Sequence, residues 1–373
     1  MEFTRRTGLA ALALGVLAAS GTDTAAAAPA QDASEEAQLQ KLYRQALAEG
    51  GTLTVYAGGS EAGQDDFLKN AFAQKFPKMN INIVVDYSST QNARIDNQVA
   101  ERHVVADVVH IQSFDDYPRW KKEGVLERYK PLGWDKVHDE FKDRDGYYTG
   151  LFFFSFSNVT ATRLGDQAPV EAKDFLKPEF KNRLAFSYPN GDDAILFYFK
   201  QLTDKYGFGF LRKLLAQNPT FVRECSYLIG TGDYDATFGT AGAQPGQSQQ
   251  TYPQHSPWVA WPQTGAILKN APHKAAAKLY LSWALSKQTQ QDVLGSWTWS
   301  VRNDVPPPPG HKGIFDYKNM DPLALRDFMS DRAELDRYKA LITLYVGEVQ
   351  GAKPSDPKGL LGLYPVDQNG TQG

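Results

Sequence analysis

The stretch LTVYAGGSEAGQDDFLKNAFAQKFPKMNINIVV, residues 53–85, decides the fold. Residues 53–57 form a short apolar run of the kind a buried strand needs. Gly58, Gly59 and Ser60 break it. Over 64–76 the residues Phe67, Leu68, Ala71, Phe72 and Phe76 recur at helical spacing, and Pro77 ends the helix. Residues 81–87 then alternate as a second strand. The pattern extends to both sides. Leu39, Leu42, Tyr43, Ala46 and Leu47 share one face of a helix over 37–49, preceded by a polar linker at 31–36. Ser88, Ser89 and Thr90 are placed to cap a helix reaching about residue 102. Residues 104–111 read as a third strand, ending in Gln112, Ser113 and Phe114. Alternation of this kind predicts a parallel sheet flanked by helices. Such sheets bind ligands beyond the carboxyl ends of their strands. The three loops there, 58–61, 88–90 and 112–114, are small and polar.

Composition narrows the function. Hydrophobic residues make up 42% of the 373 and charged residues 22%, which suits a large folded core and excludes whole-chain disorder. Net charge is −3 and no Lys/Arg run forms a stripe, so a nucleic-acid partner is not expected. A single cysteine, Cys225, excludes an internal disulfide and a Cys-cluster metal site, and it reads as a small buried hydrophobe. The six histidines include no HExxH or HxH pair. No GxSxG elbow and no phosphate-binding GxxxxGK[ST] loop occurs. At the start, Thr4-Arg5-Arg6-Thr7-Gly8-Leu9 opens an apolar run to Ala19, followed by an Ala-rich stretch. This predicts a twin-arginine-type signal over 1–30, with an apolar run too short to span a membrane.

Beyond residue 150 the composition shifts. Residues 151–159, LFFFSFSNV, are a long aromatic β run. A strand is expected at 184–188, helices at 194–206 and 208–216, an extended run at 258–268, a helix at 274–286 and a last helix at 331–349. The tail, 351–373, reads as flexible.

Four stretches carry a resemblance. They are residues 53–85, ADVVHIQSFDDYPRWKKEGVLERYKP (106–131), LAFSYPNGDDA (184–194) and GAILKNAPHKAAAKLYLSWALSKQTQQ (265–291). In this order, the chain resembles the type 2 periplasmic solute-binding proteins of ABC importers, in the extracellular solute-binding family that includes ferric-iron binders. The resemblance implies an α/β fold of two lobes, each with a central mixed sheet, and a ligand cleft between them. Lobe 1 would hold 35–150 plus 264–300, and lobe 2 would hold 151–263 plus 301–350. Two extended crossovers would join them at 151–159 and 258–268, hinging at 154–158 and 260–265. It also implies a small-molecule ligand, an inner-membrane ABC permease as partner, a periplasmic monomer and no cofactor. A secreted enzyme and a sensory module acting in trans stand as the other readings.

The ligand set departs from the ferric pattern. Ferric binders of the family use a His in the first-strand loop and a Tyr pair later. Here Ser60 stands at the His position and Gly242-Ala243 at the Tyr pair, so a ferric or chelated-iron ligand is the alternative rather than the first reading. Anion-binding members present a Ser/Thr-Gly turn at a helix start, whereas this chain has Asn190, Gly191, Asp192 and Asp193. Carboxylates there cap the helix or, facing the cleft, favour a cationic or polyhydroxylated ligand, with Glu61 and Asp86 adding to the field. The expected contacts are Gly59, Ser60, Glu61, Ser88, Ser89, Gln112, Ser113, Asn190, Asp192, Asp193 and Thr240. Trp258, Trp261, Trp297, Trp299, Tyr188 and Phe114 lie near the cleft or hinge, mostly as core.

Overall fold

The computed structural model describes residues 30–295 and 297–368, so nearly all of the predicted signal segment lies outside the described residues. Helix α1 (Ala30–Ala48) takes in the segment read as a linker. The alternation then follows as β1 (Thr52–Gly58), α2 (Asp66–Lys75), β2 (Asn80–Asp86), α3 (Ser88–Ala100), β3 (Val108–Ile111) and α4 (Asp116–Glu123). β1 sits between β2 and β3, parallel to both. Its residues Leu53, Val55, Tyr56 and Ala57 are fully buried on both faces of the sheet, as the continuous apolar run requires.

The aromatic run forms β4 (Thr149–Ala161). At roughly 3.3 Å per residue, thirteen residues are long enough to serve two halves of a molecule. β5 (Ala185–Ser187), α5 (Asp193–Tyr206), α6 (Phe208–Leu215), β6 (Thr220–Val222), β7 (Ala236–Thr240) and β8 (Ser248–Thr251) follow. β9 (Val259–Ile267) and α7 (Lys274–Leu285) return the chain to the first half. β9 pairs antiparallel with β3 through residues 264–267 and with β4 through 259–265. β4 continues past that pairing to meet β7 and β8. The path β2-β1-β3-β9-β4-β7 is therefore one curled mixed sheet, and β5 pairs with β6 beside it. The stretches expected as crossovers form β4 and β9 in this path, with β9 buried throughout and Phe154 and Phe156 of β4 partly buried.

Helices α8 (Ala324–Ser330) and α9 (Arg332–Val346) pack on α5, with Phe197 stacked on Phe328 at 5.1 Å and Thr203 hydrogen-bonded to Tyr338 at 2.8 Å. Two expectations need correction. Residues 301–304 sit on the first half, not the second: the Arg302 guanidinium donates to Glu35 at 3.1 Å and to the Leu285 carbonyl at 2.8 Å. The tail over 351–368 is not loose. It runs back along the first half, where Arg94, Gln98 and Tyr56 donate to the carbonyls of Gly362, Leu363 and Pro365 at 2.7–2.9 Å. Lys353 and Ser355 are tied to Thr90 and Asp86. The segment lacks a periodic apolar face, and its order comes from side chains some 260–310 residues earlier in the chain, which local composition does not register.

Candidate functional site

A cavity of about 580 Å³ lies between the strand ends of the first half and the loops of the second. Seven of the eleven expected contacts line it: Gly59, Ser60, Glu61, Ser88, Gln112, Asp192 and Thr240. On the first wall the β1 loop packs too tightly for side chains. A Cβ at Gly58 would lie 2.2 Å from the Ser88 hydroxyl, and one at Gly59 2.7 Å from Val85. The Ser60 N–H donates to Gln64 at 2.9 Å, which fixes the loop. The Ser88 hydroxyl accepts from the Gln112 N–H at 3.2 Å rather than capping α3.

The second wall brings charge. Asp192 caps α5, its Oδ1 accepting the N–H groups of Ala194 and Ile195 at 2.8 and 3.1 Å. Its Oδ2 accepts from Gln112 across the cavity at 2.9 Å. The Asp192 carboxyl is raised above the ordinary range, first by burial, against the lowering effect of those donors. Glu224 makes the second crossing: its Oε2 accepts from the Ser60 hydroxyl at 2.8 Å, and its Oε1 from the Ser226 N–H at 2.9 Å. Arg223 beside it donates to the Gly351 carbonyl at 2.6 Å and lies 6.0 Å from the Tyr87 ring centre. Burial pushes the Tyr87 hydroxyl up. Aromatic rings complete the lining. Phe156 meets Trp261 edge to face at 4.7 Å, and Phe67 meets Trp297 at 5.1 Å.

Four expected contacts are elsewhere. Ser89 is exposed on the outer side of α3, off the cavity wall. Ser113 is buried, and its carbonyl accepts from the Asp116 N–H to start α4. Asn190 turns to α9, donating to Thr343 and to the Gly347 carbonyl at 2.9 and 3.0 Å. Asp193 faces Arg332 and Lys339 of α9 at 3.6 and 3.5 Å. Asp86 also leaves the cleft field, because Arg94 holds it at 2.8 Å behind the wall. Of the aromatics, Trp261, Trp297 and Tyr188 line the cavity, while Trp258, Trp299 and Phe114 do not. Among the lining residues missed are Arg223, Glu224, Tyr87, Phe154, Phe156, Gln64 and Gln250. An acid two residues past a short β run, Thr220–Val222, is the one local signal for Glu224.

Cys225 is buried, hydrogen-bonded to Ser187 and Thr237, and its thiol is pushed up to about 12 by burial. Gly242 and Ala243 line the cavity and carry no side-chain donor, and Ser60 offers one hydroxyl, which donates to Glu224. No group of three or more His, Cys, Asp or Glu fit to hold a metal occurs among the described residues.

Comparison with known proteins places this geometry. Residues 104–224 match the family model described as bacterial extracellular solute-binding protein. A substrate-binding protein of an ABC transporter from Agrobacterium tumefaciens superposes with a TM-score of 0.65 at 12% identity, covering 79% of this chain and 94% of its own. The periplasmic binding protein AfuA from Actinobacillus pleuropneumoniae, with fructose-6-phosphate bound, gives 0.61 at 15% identity, over 80% and 99%. Iron-bound HitA from Pseudomonas aeruginosa gives 0.54 at 16% identity, over 78% and 99%. The chain therefore has the type 2 periplasmic binding-protein fold, and its residues 104–224 are similar to the solute-binding family model. Within that class, the neighbours bind both iron and a sugar phosphate, and no curated protein matches the chain.

Proposed function

We propose that this chain is an exported, periplasmic solute-binding protein that captures a small organic solute, cationic or polyhydroxylated, and hands it to an ABC-type permease. Its lobes would be 35–150 with 264–304 and 351–368, and 151–263 with 305–350. They would close by bending at 154–158 and 260–265, where β4 and β9 pass between halves. One observation carries the choice of solute. Asp192 occupies the start of α5, taking the N–H groups that would otherwise receive an anion. A sugar phosphate would meet that carboxylate head-on. Bare ferric ion would meet Ser60, Gly242 and Ala243 where the family's iron binders place ligands. The aromatic rings and the amide and hydroxyl groups of Gln64, Gln112, Ser155 and Gln250 suit an organic body.

The test is titration of protein stripped of bound solute. Fructose 6-phosphate is expected to give no heat beyond dilution, and ferric citrate no visible tyrosinate band. Native mass spectrometry of protein from its own compartment should show one organic species bound. A stoichiometric ferric band, or saturable binding of the sugar phosphate, would sink the reading.

A further inference from the structure

We infer that Glu61 and Glu224 form a seat for one positively charged group of the solute, an ammonium or guanidinium, and that this charge lets the two halves close. The inference rests on the solute-capture reading and narrows its ligand to a cation.

The two acids come from opposite walls. Glu61 follows β1, and Glu224 follows β6. The 2.8 Å hydrogen bond from Ser60 to Glu224 puts the neighbouring residue, Glu61, beside the same carboxylate when the walls meet. The Tyr227 hydroxyl lies in the field of both, which raises it beyond the effect of burial. Every donor to Glu224 is neutral: the hydroxyls of Ser60 and Thr240 and the Ser226 N–H. The Glu61 carboxylate has no hydrogen-bond or ion-pair partner among the described residues, its backbone carbonyl alone accepting from the Gln64 N–H. It is half-buried, and burial and then the Glu224 charge hold its carboxyl above the ordinary range.

Nothing on the walls balances this pair. Among the described lining residues Arg223 is the one cationic side chain, and it is engaged with the Gly351 carbonyl and the Tyr87 ring. Asp192 adds a third carboxylate, so the walls carry three acids against one guanidinium. Closing the halves moves two like charges together out of water, which is unfavourable until a cation enters. A cation also turns the pair from an obstacle into charge-assisted hydrogen bonds. The rings of Phe67 and Trp297, 5.1 Å apart, line the same cavity and suit the flank of an onium group. Two features independent of the acid pair point the same way. The helix start that would bind an anion is filled from within, and the lining guanidinium is turned off the site.

Glu61→Gln separates the outcomes, with Glu61→Asp as the variant that keeps the charge. Solute-stripped wild type, Glu61→Gln and Glu61→Asp are compared by small-angle scattering, and by calorimetry with agmatine, putrescine and choline. Without solute, Glu61→Gln should be more compact than wild type, because the repulsion is gone, and Glu61→Asp should match wild type. At least one of the three amines should bind wild type, contract it, and bind Glu61→Gln about ten-fold or more weakly, with Glu61→Asp recovering most of the loss. A gain in compactness alongside a loss in affinity is not what a damaged loop produces. Coincident scattering curves for solute-free wild type and Glu61→Gln would overturn the seat. So would failure of all three amines to bind, or equal affinity for Glu61→Gln. If a neutral sugar binds and contracts wild type and Glu61→Gln alike, solute capture stands and the cation seat falls. If the sugar phosphate or ferric ion binds, both fall.

Discussion

The loops after β1, β2 and β3 and the loops around residues 223–226 and the start of α5 face each other across one cavity, but they use their polar groups in opposite directions. On the first wall only Ser60 and Gln112 are seen to reach across, while the buried polar groups beneath them point back into the scaffold. Gln91 donates to the carbonyls of Ala57 and Val84 at 3.2 and 2.7 Å, and Gln263 to that of His110 at 3.1 Å. Arg94 holds Asp86 behind the wall. On the second wall the carboxylates of Glu224 and Asp192 point outward and accept from the first wall. The first wall thus keeps shape, and the second supplies charge. If this division holds, damage to the first wall should cost stability, and damage to the second should cost it little.

The largest effect is expected at Arg94. Its Nη2 pairs with Asp86 at 2.8 Å, with side-chain exposures of 6% and 1%, and its Nε donates to the Gly362 carbonyl at 2.7 Å. Arg94→Met leaves a buried carboxylate with, among the described residues, only Lys353, 3.5 Å away, as countercharge. Breaking a buried pair from one side costs about 3–5 kcal/mol. Urea unfolding should show a loss of that size, and Arg94→Met/Asp86→Asn should recover much of it. A single-variant loss near zero would mean that the first wall is not braced from behind.

A somewhat smaller effect is expected under the same wall, at Asp65 and His110. Both are buried, with Oδ2 and Nδ1 4.0 Å apart and no hydrogen-bond partner on either atom. Burial raises the Asp65 carboxyl to about 7 and lowers the His110 imidazole to about 3. The raised acid adds stability that is present at low pH and lost as pH rises from about 4 to about 7. The lowered imidazole adds stability that is present above about 6.5 and lost as pH falls toward about 3. Between about pH 4 and 6.5 the slopes are opposite, each about 1.4 kcal/mol per pH unit, and they cancel. The pair then holds one proton whichever member carries it. Asp65→Asn should unmask the imidazole, so that stability rises with pH across that window. His110→Gln should do the reverse. Denaturant midpoints at pH 4.5 and 6.5 decide it, and equal slopes for the two variants would remove the pair from the account.

How far each wall could be read from sequence follows the same division. The first wall is made by local rules. Apolar runs such as 53–57 become strands, and the small polar residues at their ends become the binding loops. Ser60, Ser88 and Gln112 were therefore legible, while Ser89 and Ser113 were not separable from them, because a one-residue step along α3 or into α4 turns a side chain off the wall. The second wall depends on tertiary approach. β6 has three residues, none of them buried, and nothing periodic announces Arg223 and Glu224 behind it. The Asn190–Asp193 turn was legible as a turn, but its neighbours chose among its four residues. Helix α9 takes Asn190 and Asp193, which leaves Asp192 for the cavity. The strap over 351–368 was unreadable for a related reason, since its carbonyls are received by Arg94 and Gln98 of α3.

The smallest effect should come from the second wall itself, at the cap of α5. Asp192→Ala removes the acceptor for the N–H groups of Ala194 and Ile195 and the tie to Gln112. Loss of a cap typically costs about 1 kcal/mol. Asp192→Asn keeps a side-chain oxygen for the helix and removes the charge, along with the burial cost that raises the carboxyl. Asparagine caps nearly as well as aspartate, so its stability should lie within about 0.3 kcal/mol of wild type. The two variants thus part cap from charge. Thermal unfolding should place Asp192→Ala clearly below wild type and Asp192→Asn beside it, while both bind an amine more weakly. If Asp192→Asn instead unfolds with a loss of about 3 kcal/mol, comparable to that at Arg94, the carboxylate braces the second wall as Asp86 braces the first, and the division between a wall of shape and a wall of charge fails.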